Sequence, residues 1–216
     1  MIRHGPILAM RQFLSLRLGL LLTFVLIGLQ LVTIAVHLLS AAISAPSDLP
    51  QLSTIFTPEV RHWSPLIYAW AGAYNVDPNL IATIIQIESC GDPHAISRSG
   101  AQGLFQVMPF HFKVGEDMLE VLTNGRRGME YLARGLQLAA GDPGLALAGY
   151  NGGHSLIKVG WAGWPAETRR YYQWGTSIYK DAVGGLISSP NIDKWLKAGG
   201  LRLCQNASQH QVVAMN

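Results

Sequence analysis

The chain has 216 residues, of which 49% are hydrophobic and 13% are charged, and its formal net charge at pH 7 is +3. Three of its 16 basic residues, Arg3, Arg11 and Arg17, precede every acidic residue, which leaves 13 basic and 13 acidic residues in a formally neutral remainder. This balance argues against the clustered basic face of a nucleic-acid-binding protein, so we expect no nucleic-acid partner.

An apolar stretch at residues 18–39 follows these arginines. Its length suits a bilayer-spanning helix and exceeds the core of a usual signal peptide. Because basic flanks stay inside, we expect residues 1–17 to form a cytoplasmic tail and the rest of the protein to lie beyond the cytoplasmic membrane. A signal peptide cleaved after the small residues near Ala45 is the alternative, although Pro46 disfavours a cut directly after Ala45. A buried core helix is the third interpretation, and the basic flank disfavours it.

The rest of the chain divides by composition into three parts. Prolines and serines make residues 40–56 an extended polar linker. Residues 57–181 are long enough for one domain with its own core. Residues 182–216 contain two Gly-Gly pairs and form a C-terminal tail of unassigned role, in which Trp195 packs an amphipathic turn onto either the domain or the membrane surface.

Hydrophobic residues recur with the helical period through most of the domain, whereas the alternation of a β-strand is scarce. The sequence therefore predicts an all-α fold, with at most a small β-ribbon in the loop after Glu88. The predicted helices cover residues 66–74, 78–88, 124–140, 143–150 and 168–183.

Glu88 ends the second of these helices, which starts with a cap and an N1 proline at Asp77-Pro78. Ile81, Ile85 and Glu88 fall at positions i, i+4 and i+7, so the carboxyl lies on the face that meets the core. Loss of hydration there disfavours the charged form and raises the pKa. A general acid needs this property, but a buried glutamate paired with an arginine for structural reasons fits the helix equally well.

Three separated motifs follow the same order as those of a known family. They are Glu88-Ser89 with Pro93, Ala95, Ser97, Gly100-Ala101, Gly103-Leu104, Gln106 and Met108-Pro109, then Tyr150-Asn151 with Gly153, and finally Glu167-Thr168 with Tyr171. Together they resemble the signature of the SLT-type lytic transglycosylases, peptidoglycan-cleaving relatives of goose-type lysozyme, over about residues 60–180. The chain departs from the family pattern at Cys90, Gly149 and Glu120-Val121.

The resemblance implies a lysozyme-like fold and a bacterial protein that acts on peptidoglycan glycan strands without a cofactor. Glu88 would be the general acid and then the base, cleaving the bond between N-acetylmuramic acid (MurNAc) and N-acetylglucosamine (GlcNAc) to leave a 1,6-anhydro sugar. The implied substrate-binding residues are Ser97, Gln106, Met108, Tyr150 and Asn151, and Glu167 would support the groove from behind. Without the motifs, Gln106 is an ordinary loop amide, Met108 core filler and Tyr150 a core aromatic with a satisfied hydroxyl.

Two other functions stay open on the same scaffold: a hydrolase of the goose-lysozyme kind and a non-catalytic peptidoglycan-binding module. A scaffold for partner contacts would need a large apolar patch that the sequence does not show. Ordinary glycosidases use two carboxylates. The candidates for a second one are Asp92, Glu116, Asp117 and Glu120, predicted to be a turn cap and a solvated run. The arginine pairs 126–127 and 169–170 are predicted to be solvated, or to meet the anionic peptide stems of a cell wall.

The cysteines and histidines give no metal-ligand spacing. Cys90 and Cys204 are the only cysteines, so a disulfide between them and two free buried thiols are both open. The seven histidines are scattered, and we predict no metal.

Overall fold

The structure is a computed structural model that describes residues 28–30, 32–33 and 51–213, with side chains described up to residue 211. The helical domain lies in the second of the chain's two compact units, Leu49–Asn216. Residues 28–30 and 32–33 are helical and exposed. The predicted cytoplasmic tail, and most of the predicted anchor and linker, lie outside the described residues. Within the described part of the chain, no helix combines the length and the apolar character needed to cross a bilayer.

The domain is built from α-helices joined by short 3-10 turns. In chain order the α-helices are α1 (Pro58–Arg61), α2 (Ser64–Tyr74), α3 (Pro78–Glu88), α4 (Val121–Leu138), α5 (Pro143–Gly152), α6 (Ala166–Val183), α7 (Pro190–Trp195) and α8 (Leu201–Val213). The 3-10 helices are Pro109–His111, His154–Lys158 and Trp161–Gly163, and a kinked segment, Leu196–Gly200, with a non-helical backbone at Gly199, joins α7 to α8.

The all-α prediction is confirmed for the described residues. The five predicted helices correspond to α2 through α6, and their ends agree within a few residues. The small β-ribbon in the loop after Glu88 consists of two isolated bridges, which pair Ile96 with Gln102 and Gln102 with Val107. The helices predicted from the sequence do not include α1, α7 and α8.

Side-chain caps fix where several helices begin. Asp77 accepts a hydrogen bond from the amide of Asn79 at the start of α3, and Asp142 accepts one from Leu145 at the start of α5. Glu120, one of the departures from the family pattern, accepts hydrogen bonds from the amides of Leu122 and Thr123. The departure therefore preserves the cap of α4.

Helix α3 runs through the core between α2 and α6. Its residues Ile81, Ile84 and Ile85 are 0% exposed. The Tyr179 hydroxyl of α6 donates to Asp77 Oδ2 at 2.9 Å and ties α6 to the start of α3. Since close-packed cores tolerate little displacement, this packing fixes the position of the far end of α3, where Glu88 lies.

Residues 190–213 of the predicted C-terminal tail form helices, and Trp195 packs onto the domain, one of the two surfaces expected for it. Ile192, Trp195 and Ala207 are buried, and Trp195 belongs to the domain core. Cys90 and Cys204 form a disulfide with a Cα–Cα distance of 4.9 Å, which decides between the two cysteine alternatives.

Candidate active site

Glu88 is presented by the carboxyl end of α3, immediately before a tight turn. The Ser89 hydroxyl donates to the Leu104 carbonyl at 2.7 Å and accepts from the Gly91 amide at 3.1 Å. Both bonds hold the turn against the glycine-rich loop that follows. The acid is therefore placed by a rigid helix end and not by a free loop.

Glu88 faces a cavity of about 660 Å³. Helix α3 contributes Ile87 and Glu88, and α5 contributes Asn151. The remaining lining residues come from α6 (Glu167, Arg170, Tyr171, Trp174) and from the C-terminal segment (Trp195, Ala198, Gly199, Gly200, Leu203). A concave site of this size, with aromatic walls and a few polar groups, is typical of a binding site for an organic ligand of at least drug-like size.

The pKa of Glu88 is raised to about 8. Burial is the largest cause, because it removes water from the charged form. The nearby negative charge of Glu167 raises the pKa further, whereas the Tyr171 hydroxyl lowers it. Glu88 is therefore mostly protonated at pH 7, the state that a general acid requires.

The structural alternative for Glu88, a buried ion pair, does not hold. The ion pairs of the described residues join Arg126 and Arg127 to Glu116, Arg127 to Glu130, and His210 to Asp92. No basic side chain of the described residues forms an ion pair with Glu88. An uncompensated buried carboxyl in a cavity is a functional-site signal.

Two tyrosines, the buried Tyr171 and the partly buried Tyr150, lie close enough to the acid for their pKa values to respond to its charge. The Tyr150 hydroxyl donates to the Phe105 carbonyl at 2.8 Å and is therefore already committed. The Tyr171 hydroxyl has no well-formed hydrogen bond, although it lies close enough to Glu88 to lower the pKa of the carboxyl. Burial, followed by the charge of Glu88, raises the pKa of both phenols well above the ordinary value. The neutral Tyr171 hydroxyl can therefore donate a hydrogen bond either to Glu88 or to a polar atom of a bound ligand.

A smaller cavity of about 130 Å³ adjoins the first and collects four of the predicted substrate-binding residues. Gln106, Met108 and Tyr150 line it, and Asn151 lines both cavities. The Gln106 amide nitrogen donates to two loop carbonyls, and Asn151 Oδ1 accepts from Thr168. These amides hold the walls in place, and their direct contact with substrate stays a prediction.

Ser97 lies in the tight turn over residues 97–101. Its hydroxyl accepts a hydrogen bond from the Ala101 amide at 2.9 Å, and Ser97 lines neither cavity. Capping of a turn is a common task for serine. A substrate contact by Ser97 stays a prediction.

Glu167 lies on the cavity and not behind it. Its side chain is exposed, lines the same cavity as Glu88 and acts electrostatically on that carboxyl. Its role as structural support for the groove stays a prediction. Arg170, Tyr171 and Trp174 follow it at i+3, i+4 and i+7, so the helical period could have assigned all three to the same wall.

The four candidate second carboxylates all have structural tasks away from the cavity. Asp92 accepts from the His94 amide, Asp117 accepts from the Leu119 amide and Glu120 caps α4. Glu116 pairs with Arg126 and Arg127, and the hydrogen bond from Arg127 is the main reason that its pKa falls to about 2.

The prediction of a solvated 126–127 pair is therefore only half right, because the Arg127 side chain is 9% exposed and held by two glutamates. The one group of metal-type side chains that lie close together in the described residues is Glu59, Cys90 and Cys204. Its two sulfur atoms form the disulfide, so this group does not provide thiolate ligands.

Residues 65–161 match the family model described as "Transglycosylase SLT domain". The match contains Glu88 and the predicted substrate-binding residues of the first two motifs. This region of the chain is similar to transglycosylase SLT domains. The SLT match ends before α6 and the C-terminal segment, which supply most of the remaining walls of the Glu88 cavity.

Individual relatives resemble the SLT region over short stretches. A transglycosylase of Enterobacteria phage PRD1 is 36% identical over 110 residues, which are 50% of this chain and 40% of that protein. A membrane-bound lytic murein transglycosylase E of Buchnera aphidicola is 36% identical over 69 residues, 32% of this chain and 29% of its own. An endo-type membrane-bound lytic murein transglycosylase A of Klebsiella pneumoniae is 49% identical over 47 residues, 22% of this chain and 23% of its own.

These relatives are thus matched over well under half of their own length. Among solved structures, an inactive mutant of the lytic transglycosylase Slt from Pseudomonas aeruginosa is similar with a TM-score of 0.48 and 22% identity. The similarity covers 57% of this chain and 24% of that one.

Proposed function

We propose that this protein is a peptidoglycan lytic transglycosylase that cleaves the β-1,4 bond between MurNAc and GlcNAc in glycan strands. The observation that carries the proposal is the Glu88 carboxyl, which lies on a cavity of about 660 Å³ and has a pKa of about 8. No basic side chain of the described residues forms an ion pair with it. The match of residues 65–161 to the transglycosylase SLT domain and the activity that names the relatives support it.

In the proposed reaction, neutral Glu88 protonates the oxygen between the two sugars as the bond to MurNAc C1 breaks. The substrate's own N-acetyl group stabilises the positive charge that develops at C1, so no second carboxylate is needed. The Glu88 carboxylate then takes the proton of the MurNAc C6 hydroxyl, and the C6 oxygen bonds to C1. The products are a 1,6-anhydroMurNAc end and a free GlcNAc 4-hydroxyl.

Tyr171 and Glu167 would tune the two protonation states of Glu88. A hydrogen bond donated by the Tyr171 hydroxyl stabilises the carboxylate that forms after the first step, while the Glu167 charge favours the neutral acid before it. Because the two residues act on the pKa of Glu88 in opposite directions, they keep it in the range where the group can both donate and accept a proton.

Digestion of purified sacculi followed by mass spectrometry tests the proposal. Wild-type protein should release fragments with anhydro ends, which are lighter by one water than the products of hydrolysis. Glu88→Gln should slow cleavage by at least about 100-fold, because general acid–base catalysis contributes that much or more. Asp193→Asn is the control, since this exposed carboxyl lies on α7 away from the cavity lining.

Fragments that carry one added water would replace the transglycosylase by the lysozyme-type hydrolase. Binding without cleavage by the wild type would leave only the peptidoglycan-binding module. Full activity of Glu88→Gln would contradict the role of this carboxyl.

We also propose that residues 18–39 anchor the domain in the bacterial cytoplasmic membrane as a single pass, with the catalytic domain on the outer side. The apolar stretch, its basic flank and the membrane-bound relatives support this location. Membrane fractions should retain the intact chain after a high-salt wash. A soluble product lacking residues 1–45 would show instead that the segment is a cleaved signal peptide.

A further inference from the structure

Nearly half of the Glu88 cavity wall comes from a part of the chain that lies beyond the SLT match. Five of the twelve lining residues belong to residues 195–203. We call them the C-terminal wall: Trp195, Ala198, Gly199, Gly200 and Leu203. The SLT match ends at residue 161, so the family match itself assigns no role to this wall.

The backbone of the C-terminal wall has an unusual course. It passes through a kink in the segment Leu196–Gly200, where the backbone of Gly199 leaves the helical conformation. Gly199 has φ 126°, which only glycine adopts without strain. A Cβ on Gly200 would overlap the Trp195 ring, so glycine lets the backbone lie directly on the indole. The two glycines thus bring the wall's main chain close to Trp195 at the cavity.

The segment that carries the C-terminal wall is fastened to the turn that follows Glu88. The Cys90–Cys204 disulfide joins α8 to a residue two positions after the acid. The His210 Nδ1 atom lies 2.8 Å from Asp92 Oδ1, and the Gln211 amide donates to the Gly91 carbonyl at 3.1 Å. Each bond fixes the distance between the wall and the acid, and such fixed placement is what a substrate-positioning surface requires.

The chemistry of the wall suits a sugar ring. Trp195 and, on the facing helix, Trp174 supply apolar aromatic surface, while Arg170 and the main chain near Gly199 supply polar groups. Carbohydrate rings present apolar C–H faces and polar hydroxyl edges, so they match a site with both kinds of group. A partner protein would need a larger exposed apolar patch than this concave surface.

We propose that the C-terminal wall is a binding subsite for the amino-sugar ring next to the cleaved bond. This inference rests on the proposed function, and it assigns to residues 195–203 a share of substrate binding that the family motifs do not describe.

Substitution at Ala198 tests the subsite. Ala198 is exposed and lines the cavity, whereas its exposed neighbour Lys197 does not. Ala198→Tyr and Lys197→Tyr are each combined with Glu88→Gln, and their binding of soluble, uncrosslinked glycan strands is measured by calorimetry. Blocking the subsite should weaken binding by about 10-fold or more, the range for loss of one well-fitted pocket contact. Lys197→Tyr should bind like Glu88→Gln alone.

The same substitutions in the wild-type background measure cleavage, and thermal unfolding checks the fold. If Ala198→Tyr unfolds early, Ala198→Gln, a smaller change at an exposed position, replaces it with the same expected direction. Equal binding by the Ala198 and Lys197 variants, while the wild type cleaves strands, overturns the subsite and leaves the proposed function intact. A wild type that neither binds nor cleaves strands defeats the proposed function itself.

Discussion

A single side chain, Glu88, carries both the proposed chemistry and a cost in stability. Its position on the buried stripe of α3 removes water from the carboxyl, and no cation of the described residues compensates. The same desolvation that prepares an acid for proton donation makes its charged form unfavourable in the folded protein. Function and stability are therefore expected to oppose each other at this residue.

Glu88→Gln should raise the free energy of unfolding at neutral pH. The pKa of Glu88 rises from an ordinary 4.5 to about 8 on folding, so the folded state loses stability as pH rises through this interval. Glutamine imitates the neutral acid and escapes that loss. With 1.36 kcal/mol per pKa unit, and with a discount for the part of the side chain that is exposed to the cavity, we expect a gain of about 1 to 3 kcal/mol at pH 7.

Urea unfolding at pH 4 and at pH 7 measures this difference. The gain should nearly vanish at pH 4, where Glu88 is mostly protonated in both the folded and the unfolded state. A variant that is less stable than the wild type at pH 7 would mean that the carboxylate is favourably paired in the folded protein.

Residue-level prediction from the sequence succeeded where spacing alone determines burial. The i, i+4, i+7 pattern located Glu88 correctly, and the same rule applied from Glu167 would have found Tyr171 and Trp174. It does not decide the role of Ser97, because a hydroxyl in a tight turn can cap the turn, contact a ligand, or do both. The spacing of residues does not show which of these it does.

At the scale of elements, the helices of the C-terminal segment are the feature that could not be predicted from the sequence. Its two Gly-Gly pairs and proline resemble a linker, α7 has only 6 residues, and α8 lacks a strong apolar stripe. What orders them is long-range contact with α1 and with the turn after Glu88, including the Ser208 hydroxyl bond to Glu59 at 2.7 Å. The helix propensities of the individual residues do not predict such long-range contacts.

Removal of the disulfide should destabilise the domain. The Cys90–Cys204 bond closes a loop with a sequence separation of 114 residues, and bonds that close long loops restrict the unfolded chain most. We expect the Cys90→Ser, Cys204→Ser double variant to lose about 2 to 4 kcal/mol of unfolding free energy. Urea unfolding of the oxidised wild type and of the double variant measures the loss.

Reduction provides the matched control for this experiment. A reducing agent should lower the stability of the wild type to a similar extent and leave the double variant unchanged. If the oxidised wild type and the double variant unfold at the same urea concentration with the same slope, the bond does not hold the C-terminal segment in place.

At the scale of the whole molecule, the sequence predicted the helical class and the five central helices, because helix period and caps are local properties. It could not predict how the cavity is completed. The walls come from α3, α5, α6 and the C-terminal segment, which are far apart in the chain and meet only in the folded domain. The predicted membrane anchor lies mostly outside the described residues and stays a prediction.

The central claim is that one carboxyl is held neutral on the wall of the cavity. NMR titration of the protein with ¹³C-labelled glutamate carboxyls tests it most directly, and loss of one signal in Glu88→Gln assigns the resonance. The Glu88 signal should titrate with a midpoint of about 8. A midpoint near the ordinary 4.5 would show a solvated carboxylate at neutral pH, and Glu88 could not then be the acid that breaks the glycosidic bond.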